Sequence, residues 1–525
     1  MSLPPESDSA KKTVKKAVKK AAVKTAVKKT AANAEPPRSG GQSFMSGTFW
    51  VFLAEALIFP TGLVTAGILT RQLGPDGYGV LTLVAVLVSW VEWTITSIFS
   101  RTAIKFVSEA EDWRPVGTVI AQLHVGIGAI ATVVLWVFAQ PIATLLDIPT
   151  FVPYLRLFAL DIPIFCLAYA HRQLLVGCGL FRVRAIASAG RWTARLAIIA
   201  LLVEYANWSI EGAIIGSLGA SVVELAIGRW FVRPPLLHKS SFPPQRLFGY
   251  ALPLFLFATS LRLFDKLDLF MLKILGGTVT EAGIYGAAQN LAFVPGIFAL
   301  SFSPLLLSTL NRTLRSDQPD SFEQAKQLST NAVRTVIALI PFAALAAAAS
   351  VPIVTVVYGQ AFAVAGPVLA VLIFGAMALM MISVVTAILT AAGRPNLTAA
   401  LVAPMLPLSA VGYLAFVPQF GAMAACWVNA GAAVIGALSA LVALYRTWQI
   451  LPGAMTMVRS AIACGVIYAL GAAWITPDPS FVLKILILSA VIPVILLCLG
   501  ELNRQERQFI AALVMQQRWV QAMRR

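Results

Sequence analysis

Charge is scarce in this chain: of 525 residues, 12% are Asp, Glu, Lys or Arg, against 58% hydrophobic ones, and the mean hydropathy is +0.81. A water-soluble protein of this length could not hide so much apolar surface. Cysteine is scarce too. Its five copies (Cys166, Cys178, Cys426, Cys464, Cys498) are odd in number, scattered and set in apolar runs, so neither a disulfide framework nor a metal spacing follows. Three histidines, His124, His171 and His238, lie far apart, and no metal site is expected. The motifs of soluble catalysis are missing: there is no Gly-rich phosphate loop with Lys, no HExxH, no Gly-x-Ser-x-Gly and no Asp-x-Asp. An enzyme is therefore not indicated, no cofactor is expected, and any work must draw on a gradient or on substrate flux.

What the chain does have is long apolar segments, which makes it an all-α polytopic membrane protein. The ten-residue alternation of a transmembrane β-barrel is not seen. Fourteen spans are predicted, near 48–70, 80–100, 117–139, 152–175, 185–203, 210–231, 248–275, 283–309, 330–350, 365–391, 397–417, 422–445, 456–475 and 481–500. Prolines inside several of them, such as Pro60, Pro163, Pro253 and Pro341, predict kinks rather than ends.

Before the first span, residues 1–46 carry nine lysines at near four-residue spacing and Arg38 against three acids, which is +7 of the net +17. This is a solvated, disordered tail or an arm on anionic headgroups, each Lys near the surface being worth about 1 kcal/mol. It lacks the apolar core of a signal peptide. Its composition resembles histone-linker tails, but nucleic acid is not an expected partner beside a membrane domain.

If that tail is cytoplasmic, 33 of the 40 basic residues fall on the same membrane face and four, Arg71, Arg156, Lys273 and Lys484, on the other. The bias places both termini inside, in the cytoplasmic (inner) membrane. The outer connections are all short, which leaves no extracytoplasmic domain. The last stretch, 501–525, alternates Phe509, Leu513 and Trp519 with arginines and reads as an amphipathic cytoplasmic helix or a plain soluble tail.

The seventh span is the unusual one. Arg262, Asp265, Lys266 and Asp268 lie inside it, within an arc of about 160° on a helix. One such charge at the bilayer centre costs about 2.5–3.5 kcal/mol, and four unpaired would cost roughly 10 kcal/mol. They must either neutralise one another as structural pairs or face water or an anionic guest, and intramembrane charges usually line pathways. Other acids inside spans are Glu55, Glu92, Asp161, Glu204 and Glu224; Glu55 and Glu92 lie deepest and rank first for a coupling proton or sodium ion. Trp90, Trp93, Tyr78, Trp192 and Tyr285 are either sugar-stacking residues or interfacial belt residues.

Three landmarks recur in order. Arg71 to Gly79 (RQLGPDGYG) is echoed by Lys273 to Gly276 and Gly283 to Gly286; Leu174 to Gly179 (LLVGCG) by Ile388 to Gly393 (ILTAAG); Glu211-Gly212-Ala213 by Phe420-Gly421-Ala422. Nearly constant offsets argue for two homologous six-helix halves, 47–232 and 247–445, running in the same sense. A basic, proline-rich linker, 233–246, joins them, and 446–500 adds two further helices.

The run at 68–81 (ILTRQLGPDGYGVL), the run at 253–288 ending AGIYGAA and the turn AAGRPN at 391–396 resemble the polysaccharide and O-antigen flippases of the multidrug/oligosaccharidyl-lipid/polysaccharide exporter superfamily. The resemblance spans roughly 45–500, and the basic N-terminal arm departs from it. It implies a V-shaped pair of six-helix bundles around a central cavity, alternating access, and a lipid-linked oligosaccharide of the polyprenyl-pyrophosphate type moved from the cytoplasm to the outer leaflet. The pyrophosphate would need cations. Arg262 and Lys266 lead, with Arg71, Arg101, Arg195 and Arg334 near span ends, where snorkelling to headgroups is the competing role. Two other functions compete. A cation-coupled drug exporter of the same superfamily usually stops at twelve helices, and a membrane polymerase or ligase would carry a long outer loop.

Overall fold

The computed structural model describes residues 54, 57–236, 240, 242, 243, 245, 247, 267–316, 319–474 and 480–501. The N-terminal tail, Glu55, Arg262, Asp265, Lys266 and the stretch 502–525 therefore lie outside the described residues, as does most of the seventh predicted span.

Among the described residues the regular structure is entirely helical. In chain order the helices are α1 Ile58–Glu109, α2 Trp113–Leu145, α3 Phe151–Ala159, α4 Asp161–Gly177, α5 Phe181–Ile199, α6 Ile210–Phe231, α7 Val279–Ala292, α8 Val294–Leu314, α9 Ser321–Ala348, α10 Ser350–Tyr358, α11 Ala365–Ala391, α12 Pro395–Val402, α13 Met405–Trp448, α14 Ala454–Ala473 and α15 Phe481–Cys498. A π-helical turn, Ala200–Tyr205, extends α5. Joined where they run on, these helices give 11 segments long and apolar enough to cross a membrane.

Two of the 11 are bent pairs. Gly74 (φ 64°, ψ 179°) breaks α1, and Gly421 (φ 55°, ψ −137°) breaks α13. The first break is legible: Gly74 takes a backbone that a side chain would oppose, and Pro75 starts the next arm, where its missing N–H costs nothing. Each bent pair covers two predicted spans. Residues 267–274 are the described end of the seventh span, and they too are helical.

The repeat can be read in backbone detail at its second landmark. Gly179 and Gly393 share φ 74°, and the same three bonds close each helix end. Cys178, Gly179 and Leu180 donate to Leu174, Val176 and Leu175; Ala392, Gly393 and Arg394 donate to Ile388, Thr390 and Leu389. This is the left-handed glycine cap that satisfies terminal carbonyls. The first landmark also matches, with positive φ at both Gly74 and Gly276. The third does not. Gly421 is the break in α13, whereas Gly212 lies inside α6.

Packing sorts the described helices into sets. Helices α1 to α6 pack among themselves, α7 to α13 do likewise, and α14 with α15 lean on α9. One apolar core is shared at the end holding the Gly74 break, where Leu69, Tyr78, Leu269, Tyr285, Tyr358 and Phe362 are all buried together. At the opposite end the cores separate, one around Phe99, Val107 and Leu174, the other around Leu310, Val384 and Leu444. Apolar side chains such as Ile130 (66% exposed) and Val137 (67%) cover the periphery, as a lipid-facing surface requires.

Candidate functional site

The two sets of helices meet chiefly through α1, which packs on α7, on α10 and on the short turn after α10. At this contact the two copies of the first landmark face each other. Side chains added at Gly79 or Gly283 would collide with the backbone at Val279 or Pro75, so the glycines set how closely α1 and α7 approach. Polar bonds then tie the faces. Asn290 Nδ2 donates to Tyr78 Oη at 3.0 Å, Thr280 Oγ1 donates to Asp76, and Arg71 Nη2 donates to the Val356 carbonyl at 2.7 Å. Tyr78 also meets Phe362 edge-on, with ring centroids 5.7 Å apart. This end is closed.

Deeper in the first half, three helices direct charge into one another at helical spacing. Helix α4 contributes Asp161, Phe165, Tyr169 and Arg172; α5 contributes Arg191 and Arg195; α6 contributes Glu224. Glu92, on the second arm of α1, joins them. Glu224 is 1% exposed and holds two guanidiniums: Arg172 Nε at 2.7 Å from Oε1 and Arg191 Nη1 at 3.1 Å from Oε2. Glu92 and Asp161 are buried as well, yet Glu92 Oε1, Asp161 Oδ1 and Arg195 Nε have no hydrogen-bond partner among the described residues. Arg195 lies within electrostatic reach of Asp161, Glu92 and Tyr78. A buried polar atom left unpaired costs about 1–3 kcal/mol, so the cluster holds unused capacity for a proton or a ligand.

Its rim is aromatic. The Arg191 guanidinium sits 4.4 Å from the Phe165 ring centre and that of Arg172 5.2 Å from Tyr169. Trp93 packs edge-on against both Phe165 and Tyr169 and is 37% exposed, and both arginines keep slight exposure. The rim is thus partly exposed while Glu92, Asp161 and Glu224 are buried beneath it. Arg191 and Arg195 do not stand at the end of their helix: they lie 10 and 14 residues into α5, which the turn Ala200–Tyr205 continues. Arg172 and Arg191 were not singled out in the sequence. The signal was there, as arginines and acids at three- and four-residue spacing on consecutive spans, but their pairing across helices was not.

The other expected residues are dispersed. Asp268 is fully buried in the second half, where Tyr285 Oη donates at 2.6 Å, Asn429 Nδ2 at 2.8 Å and Gln289 Nε2 at 3.0 Å. Tyr285 is thereby a carboxylate donor inside the core rather than an exposed stacking surface. Trp90 packs on Phe270 across the two halves, centroids 6.4 Å apart. Arg334 stands apart from all of these, on α9, where its Nε lies 3.3 Å from Glu501 Oε1. Glu501 also binds Arg459 Nη1 at 3.1 Å and accepts from Thr456 Oγ1 at 2.8 Å, tying α14 and the end of α15 to α9. Arg101 lies on α1, its side chain outside the described set.

A family model described as polysaccharide biosynthesis protein matches residues 68–367, which covers both landmarked faces and the whole charged cluster. The chain belongs to that family. The match bears out the flippase family resemblance carried by the 68–81 and 253–288 runs. Among curated proteins it is 26% identical over 336 residues to the succinoglycan biosynthesis transport protein ExoT of Rhizobium meliloti, covering 62% of this chain and 64% of that relative's length. Among solved structures it is similar in fold to the lipid II flippase MurJ in an inward closed conformation, with TM-score 0.63, 15% identity and 86% and 98% of the two chains covered. It is similar in fold also to a MOP superfamily transporter from Pyrococcus furiosus, with TM-score 0.56, 13% identity, 81% and 96% covered. This member of the polysaccharide biosynthesis family is thus a multi-pass membrane protein whose fold is similar to those solved structures.

Proposed function

We propose that the protein flips a lipid-linked oligosaccharide of the polyprenyl-pyrophosphate type across the cytoplasmic membrane, with both termini in the cytoplasm, by alternating access of two six-helix halves. The observation that carries this reading is the partly exposed rim of the first-half cluster. Guanidiniums that bind phosphate oxygens through a planar fork stand beside aromatic rings able to stack on sugars. In this reading Arg172, Arg191 and Arg195 receive the pyrophosphate, with Arg262 and Lys266 approaching from the seventh span. Glu92 and Asp161, each with an unpartnered oxygen, take the coupling proton or sodium ion. The closed end at Tyr78 and Asn290 and the separate cores opposite it support a cycle in which the halves rock about their shared core.

The test is reconstitution. Proteoliposomes loaded with a fluorescent polyprenyl-pyrophosphate oligosaccharide should move it between leaflets, and Arg191→Gln should abolish movement with the protein still folded. Efflux of cationic dyes with no movement of the lipid-linked sugar would favour a cation-coupled exporter instead.

A further inference from the structure

A cleft of about 330 Å³ opens between the two halves at their closed end, separate from the charged cluster. That volume is within the range of about 300–1,000 Å³ typical of small-ligand sites. Its lining has two characters. Val64, Ile68 and Val357 form an apolar wall, and Arg71, Gln72 and Glu204 supply one cation, one amide and one anion. The floor is tight because Gly67 has no side chain; one added there would stand 2.9 Å from the Val357 carbonyl oxygen.

The depth of the cleft is marked by its neighbours. Tyr205 and Trp208, next to Glu204, are 77% and 49% exposed, the position of an interfacial aromatic belt. This is also the face on which the sequence leaves almost no basic residues. Arg71 spends one nitrogen on the Val356 carbonyl, at 2.7 Å, and the guanidinium has further donors in a planar fork. A cation suited to phosphate and a carboxylate suited to an ammonium thus share one cleft at headgroup level, flanked by a wall suited to an acyl chain.

We infer that this cleft binds the headgroup of a zwitterionic aminophospholipid, with the phosphate on Arg71 and Gln72 and the ammonium on Glu204. A purely anionic headgroup would meet the Glu204 carboxylate without compensation, and a lone cation would meet Arg71. The site goes beyond cargo recognition. Its walls come from α1 and the π-turn of the first half and from α10 of the second, so it is whole only while this end is closed. A lipid bound there favours the closed state by its differential affinity.

Native mass spectrometry on the lipid-depleted full chain tests this with three probes: phosphatidylethanolamine, phosphatidylglycerol and N-acetylated phosphatidylethanolamine, which keeps the phosphate and loses the ammonium. The wild type should hold phosphatidylethanolamine about tenfold more tightly than either of the others. Glu204→Gln should erase that preference, and Arg71→Gln should weaken all three. Both side chains are exposed, and an unchanged melting temperature without lipid will establish that the variants are folded. Equal binding of the three lipids by the wild type, or a preference that survives Glu204→Gln, overturns the site. No lipid-linked sugar enters the assay, so its failure is distinguishable from failure of the flippase reading.

Discussion

Tyr78 and Asn290 are 212 positions apart and share a hydrogen bond of 3.0 Å, the tyrosine following the Gly74 break in one half and the asparagine near the end of α7 in the other. Around them the glycines of one repeated motif pack on the other copy, so the halves close on the element that they have in common.

Closure at this contact should be removable without unfolding. Gly79→Val places a side chain against the Val279 backbone and holds α1 off α7. The expected outcome is normal membrane abundance, transport reduced at least tenfold, and faster labelling of a cysteine placed at Thr82. Wild-type transport by this variant would show that the contact need not form.

Glu224 and Glu92 should fail in different ways. Glu224→Gln strands the Arg172 and Arg191 guanidiniums in the bundle, and breaking a buried pair costs about 3–5 kcal/mol. Abundance and melting temperature should drop, with partial recovery in Glu224→Gln plus Arg191→Met. Glu92→Gln breaks no ion pair among the described residues and should leave a stable protein that has lost coupled transport. Equal melting losses for the two would remove the distinction.

Arg334→Ala should act through stability. With Arg334 gone, Glu501 keeps Arg459 and Thr456, so the loss is partial, about 1–3 kcal/mol, and Glu501→Gln should cost more. The readout is thermal melting together with protease release of α14 and α15. A transport defect at unchanged stability would return Arg334 to the substrate path.

Topology follows from the basic residues. Reporters after Arg525 and within 233–246 should be cytoplasmic, and one within 276–282 should lie outside. Removing 1–40 should leave transport largely intact, and loss of activity at normal abundance would show that the basic arm is needed.

The sequence by itself determined the class of this protein, an all-helical chain of many membrane-length segments, and where its glycine turns fall. Hydrophobic length and glycine placement are local properties: Gly74, Gly179 and Gly393 stand in the sequence where the backbone needs positive φ. It also named Glu92, Asp161 and Glu224 as acids out of place in lipid. Only the tertiary structure decided which partners those charges found. Asp268 takes donors from α7 and α13, Arg334 belongs to the appended helices, and Arg172 with Arg191 belongs to Glu224. The physical reason is that a charge in a low-dielectric interior must be compensated within a few ångströms. In this chain the compensating group lies on a different helix, 17 to 167 residues away, where no local pattern records it.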